Sequence, residues 1–121
     1  MYRLLSAITF VLIITSCGKS LPDLKNLDLN AWKDDKNACG AYRAGNVDAI
    51  QTQKEKLLAL DESKIISLLG RPDRNELYKR NQKFFYYYLQ AGPACSIHTK
   101  NAKRLAIRFN AMGLAKEVAI E

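Results

Sequence analysis

The chain has a single histidine, His98, and no CxxC pair among its three cysteines in 121 residues. That inventory falls short of the four ligands a structural zinc site takes. There is no phosphate-binding glycine loop and no nucleophile elbow. Ser96 stands two residues before His98, but a catalytic triad also needs an orienting third group and an oxyanion site. Asp34-Asp35 and Asp61-Glu62 are better explained by a polar turn and by helix capping than by a paired acid and base. The expectation is a protein that is not an enzyme and uses no metal or cofactor. Long hydrophobic runs are lacking too: the apolar stretch at residues 4–14 is too short for a membrane-crossing helix of about 20 residues. No internal repeat or low-complexity tract follows it.

What is present begins with that stretch, which follows the basic Arg3 and closes on Ile14-Thr15-Ser16-Cys17. A basic residue before a short apolar run reads as an export signal. The small and β-branched residues before Cys17 resemble the lipobox of bacterial lipoproteins. That resemblance implies diacylation of Cys17, cleavage before it, acylation of the new amino terminus and a stable membrane anchor. An ordinary secretory signal or an uncleaved anchor is the alternative. The chain then divides into a signal peptide at residues 1–16, a lipid-anchored tether at 17–30 and one α+β domain at 31–121. The expected location is the outer membrane, facing the periplasm; Gly18 stands where some bacterial lineages place the aspartate that retains lipoproteins in the inner membrane.

Losing Arg3 takes the 19 basic residues to 18 against 12 acidic ones, and the formal charge from +7 to +6. For an exported protein such a charge meets anionic lipid, envelope polymers and acidic proteins rather than nucleic acid. With Cys17 assigned to lipid, Cys39 and Cys95 form an even pair in an oxidising compartment and read as a disulfide. Two buried free thiols or a metal pair are the alternatives.

Leucines among Pro22, Asp23, Asn26 and Asn30 suggest weak order in residues 17–30, with Trp32 marking where packing starts. Residues 39–58 carry Tyr42, Ala49, Ile50, Leu57 and Leu58 at helical spacing, interrupted by Gly40 and Gly45. A second helix is expected after the N-cap Asp61. Leu60 and Ile65 are spaced as a hydrophobic staple, and the helix should end at Leu69 or Gly70, before Pro72. Residues 83–90 are rich in aromatics on both faces, residues 103–110 alternate cleanly, and residues 115–121 follow a turn at Gly113. The expected architecture is two helices on one face of a three-stranded antiparallel meander.

The turn Leu68-Leu69-Gly70-Arg71-Pro72-Asp73, the strand with Tyr86 to Tyr88, and Arg108-Phe109-Asn110-Ala111-Met112-Gly113 before a last strand resemble the SmpA/OmlA family. The resemblance covers residues 61–121. That family comprises small outer-membrane lipoproteins with a helix-helix-strand-strand-strand fold, among them an accessory subunit of the β-barrel assembly machinery. It implies an envelope protein partner and a role in outer-membrane assembly or maintenance.

Two surfaces stand out. If Phe85, Tyr87 and Leu89 point inward, then Phe84, Tyr86 and Tyr88 point outward beside Arg104 and Arg108, a face suited to peptides, sugars or anionic groups. It could serve an inhibitor or ligand-binding lipoprotein, unless the tether, the first helix or the disulfide loop covers it. The basic segment Arg71, Arg74, Lys79, Arg80 and Lys83 could lie on anionic lipid, or be a solvated loop with local ion pairs.

Overall fold

In the computed structural model, residues 19–121 are described; the apolar run and the lipobox-like residues through Cys17 lie outside them. Three short helices, α1 (Leu29–Asp34), α2 (Val47–Gln53) and α3 (Glu62–Leu69), precede four strands. These are β1 (Arg74–Tyr78), β2 (Gln82–Tyr88), β3 (Arg104–Phe109) and β4 (Ala115–Ile120), an antiparallel meander in the order β1-β2-β3-β4. The mixed α+β class is as expected, but there are three helices rather than two and the sheet has four strands rather than three. The extra strand is β1, which falls in the expected basic loop. All five of its residues are exposed, so it carries none of the alternation that burial imposes on a strand. None of the described helices is long and apolar enough to cross a membrane.

Helix α3 forms as the sequence signals indicate. The Asp61 side chain accepts a hydrogen bond from the Lys64 backbone N–H at 2.9 Å, Leu60 and Ile65 are fully buried, and Gly70 takes φ +80° at the C-cap. Residues 39–58 do not form one long helix. Ala41 sits at φ +66°, α2 occupies only the middle, and 3-10 turns at Ala44–Asn46 and Lys54–Leu57 flank it. Positive φ is costly for an L-residue, so the helix cannot run through Ala41.

The segment expected to be a tether is packed. Leu24 is buried in the core, and Leu27 and Leu29 pack against it. The Lys25 backbone N–H donates to Gln53 Oε1, while Gln53 Nε2 donates back to the Lys25 carbonyl, both at 2.6 Å. Asp28 caps α1 by accepting from the N–H groups of Asn30 and Ala31. The ordered domain therefore reaches back well before Trp32, which is itself fully buried.

Phe85, Tyr87 and Leu89 of β2 and its continuation join Leu105, Ile107 and Phe109 of β3 in the core under the helices. Cys39 and Cys95 are joined in a disulfide.

Candidate functional site

Phe85, Tyr87 and Leu89 point into the core, so Phe84, Tyr86 and Tyr88 lie on the sheet face away from the helices. Cross-strand pairing sets Phe84 opposite Arg108 and Tyr88 opposite Arg104. This face is nevertheless largely covered: Tyr86 and Tyr88 are each only 5% exposed. Phe84 and Tyr86 stack with ring centroids 5.6 Å apart, Tyr78 meets Phe84 edge-on at 5.3 Å, and the Arg104 guanidinium lies 3.7 Å above the Tyr86 ring. Tyr88 is closed over by Gly92, where an added Cβ would stand 2.7 Å from the ring. Both arginines are engaged: Arg104 pairs with Glu121 at 2.9 Å, and Arg108 pairs with Glu117 at 3.3 Å and donates to Gln82 at 2.8 Å. The expected open aromatic face is thus a closed ladder whose cations already have partners. Burial, reinforced by Glu76 and opposed by Arg104, raises the Tyr86 pKa above its ordinary value.

Large exposed apolar side chains lie in the connecting loops, at Ile97 and Met112, and side by side on a strand in β1, where Leu77 is 82% and Tyr78 49% exposed. β1 pairs with β2 on one side only; among the described residues nothing pairs with its other side. Its hairpin turns through Arg80 and Asn81, both at positive φ, closed by the Gln82 N–H donating to the Lys79 carbonyl at 3.3 Å. Of the basic segment, Arg74 lies in β1, Lys79 and Arg80 are exposed at the turn, Arg71 is exposed before the strand, and Lys83 pairs with Glu62 at 2.9 Å. It is therefore an edge hairpin rather than a loop.

What fixes this hairpin to the domain is a buried ionic node that the sequence did not reveal. Arg43 and Asp73 pair at 2.7 Å with their side chains 1% and 3% exposed. Asp73 also accepts from the backbone N–H groups of Asn37 at 3.0 Å and Tyr88 at 2.8 Å. Arg43 donates through Nε to the Trp32 carbonyl at 3.0 Å, and its guanidinium lies 4.7 Å from the Trp32 ring centroid. Asp35, also buried, accepts from the backbone N–H groups of Arg43 and Gly40. Asp73 thus joins the start of β1, the end of β2 and the segment before Cys39.

Tyr87 lies beside this node and donates to the Gly70 carbonyl at 2.8 Å. Burial first, and then the Asp73 charge, raise its pKa far above the ordinary value of 10, with Arg43 opposing. Above pH 10 the unfolded chain loses this proton while the folded chain keeps it. Stability that is intact below pH 10 should then fall by about 1.4 kcal/mol per pH unit. Tyr87→Phe should cost about 1 kcal/mol at neutral pH by losing the Gly70 bond, yet remove that share of the alkaline slope. Chemical denaturation of both forms between pH 8 and 11 measures it, and an unchanged slope would refute the assignment.

His98 and Ser96 are exposed. His98 lines an open cavity of about 560 Å³ with Tyr88, Lys100, Arg104 and Glu121. Comparison with family models, curated proteins and solved structures found no match to this chain. The resemblance to SmpA/OmlA lipoproteins rests on the sequence motifs alone.

Proposed function

We propose that this chain is a non-enzymatic interaction module of the bacterial cell envelope, held at the outer membrane through acylated Cys17. In this reading an envelope protein partner adds an extended segment to the free edge of β1. The observation that carries it is the exposure of Leu77 and Tyr78 on a strand with one unpaired edge. Edge strands are usually shortened, charged or covered, because their free N–H and C=O groups template pairing with another chain. β1 is short and flanked by cations, but it keeps two large apolar side chains in water. Strand addition would use the backbone edge for affinity and those side chains for specificity. The arginines and lysine around β1 favour a partner segment with acidic residues.

The SmpA/OmlA-like motifs are consistent with a role in outer-membrane assembly or maintenance. The alternative of an inhibitor or ligand-binding lipoprotein using Phe84, Tyr86, Tyr88, Arg104 and Arg108 is disfavoured by the burial of the two tyrosines and the pairing of both arginines.

A photoreactive residue placed at position 77 of the full-length protein in cells tests the reading. It should crosslink to an extended segment of one envelope protein, and Tyr78→Lys should lower that yield at least tenfold. The same probe at position 97, where Ile97 is 90% exposed, is the control. Equal, diffuse crosslinking from both positions would contradict the proposal.

A further inference from the structure

The route of the chain from its lipid anchor constrains how the domain meets the membrane. A loose tether over residues 17–30 would let the domain stand off by on the order of 40 Å. Here the chain is bound to the domain by Lys19. Lys19 Nζ donates to the carbonyls of Lys56 at 2.9 Å and Leu58 at 2.7 Å, and Lys64 Nζ donates to the Lys19 carbonyl. Lys56 Nζ donates to the carbonyl of Asp23 at 3.1 Å. Only Gly18 separates Lys19 from Cys17 in the sequence, so a two-residue leash joins this contact to the expected anchor.

Three lysine side chains therefore bind backbone carbonyls along the stretch where the chain leaves the domain. Among the described residues, none of the three forms an ion pair. Leu21, next along the chain, is 50% exposed. Topology gathers more of the same chemistry. Ala59, which follows Leu58, bonds through its N–H to the carbonyl of Ala115 at the start of β4. In a four-stranded meander the β1–β2 and β3–β4 turns share that end of the sheet. They carry Lys79 and Arg80, and Met112, which is 84% exposed. The disulfide lies toward the other end, near the β2–β3 connection.

We infer that the Lys19, Lys56 and Lys64 face lies directly on the bilayer surface and contacts anionic phospholipid headgroups, with the disulfide end pointing away. This inference rests on acylation of Cys17. A short leash keeps this face at high effective concentration beside the headgroups, and lysines with no carboxylate partner keep their full charge and are attracted to an anionic surface. The domain would be held in one orientation rather than tumbling on a tether.

The test is amine footprinting of the full-length, lipidated protein reconstituted in phosphatidylglycerol-containing vesicles and in purely phosphatidylcholine vesicles, after intact mass has established the acyl groups on Cys17. Labelling of Lys19, Lys56 and Lys64 should be at least fivefold slower in the anionic vesicles. Labelling of Lys36 and Lys100, in the two segments joined by the disulfide, should be unchanged. Ten Gly/Ser residues inserted between Gly18 and Lys19 leave every lysine in place and should weaken the protection. Equal labelling in both vesicles with acylation present overturns the inference alone, and a mass without acyl groups overturns the anchor and the inference together.

Discussion

Removing the Cys39–Cys95 disulfide with Cys39→Ser plus Cys95→Ser is expected to lower stability by roughly 4 kcal/mol, on the chain-entropy relation for a loop of this length. The two cysteines are 56 residues apart in sequence, so the crosslink closes about half the chain and sharply restricts the unfolded state. For a domain of this size such a loss lowers the melting temperature by at least about 15 °C. The native state offers little to replace the bond: the segment around Cys95 is tied to the rest mainly by the Gly92 N–H donating to the Asn37 carbonyl at 2.9 Å and by the contact of Gly92 with Tyr88. Thermal and urea denaturation of the oxidised protein and the double variant measure the difference. A loss below about 1 kcal/mol would mean that the disulfide does not staple the fold.

Asp73→Ala should cost a further 3–5 kcal/mol or so, because it leaves the Arg43 guanidinium buried without its counter-charge. The same change strands the backbone N–H groups of Asn37 and Tyr88, each of which has Asp73 as its acceptor. Small domains are stable by only about 5–15 kcal/mol, so this variant should be partly unfolded or melt far below the wild type. Combining it with Arg43→Met removes the orphaned charge and should recover part of the loss, since the damage of breaking a buried pair comes mostly from the partner left behind. Urea denaturation of both single variants and the double variant gives the coupling directly. Additive losses would contradict a paired node.

Sequence legibility followed burial pattern. α3 was readable because its cap, staple and C-terminal glycine are local signals, each satisfied within a few residues: Asp61, Leu60 with Ile65, and Gly70. β3 was readable because the large apolar Leu105, Ile107 and Phe109, all fully buried, alternate in sequence with Arg104, the small Ala106 and Arg108. The phase of β2 was left open by large side chains on both faces, and the burial of its outer face depends on rings and guanidinium groups meeting from three strands. β1 escaped because a strand exposed on both sides has no two-residue pattern to read. Asn81, a residue that tolerates positive φ, ahead of the aromatic run was the one hint of a hairpin there. The Arg43 and Asp73 pair spans 30 residues and leaves no local mark. In the segment before Trp32, Leu24, Leu27 and Leu29 pack on the core, but the neighbouring Pro, Asp and Asn read as a tether.

The node and the disulfide together explain how a small domain can hold a bare edge strand in a fixed place. Asp73 immediately precedes β1 and also binds Tyr88 at the end of β2, so the hairpin springs from a buried point held by several bonds. That arrangement presents Leu77 and Tyr78 without asking them to contribute to the core.

The most direct test is amide hydrogen exchange of β1 in the full-length protein, compared between the purified state and the intact envelope. Strand addition predicts that amides in residues 74–78 exchange at least tenfold more slowly in the envelope, with little change in β3. Unchanged exchange across 74–78, with new protection centred on Arg104 and Arg108, would contradict it and return the binding surface to the aromatic face.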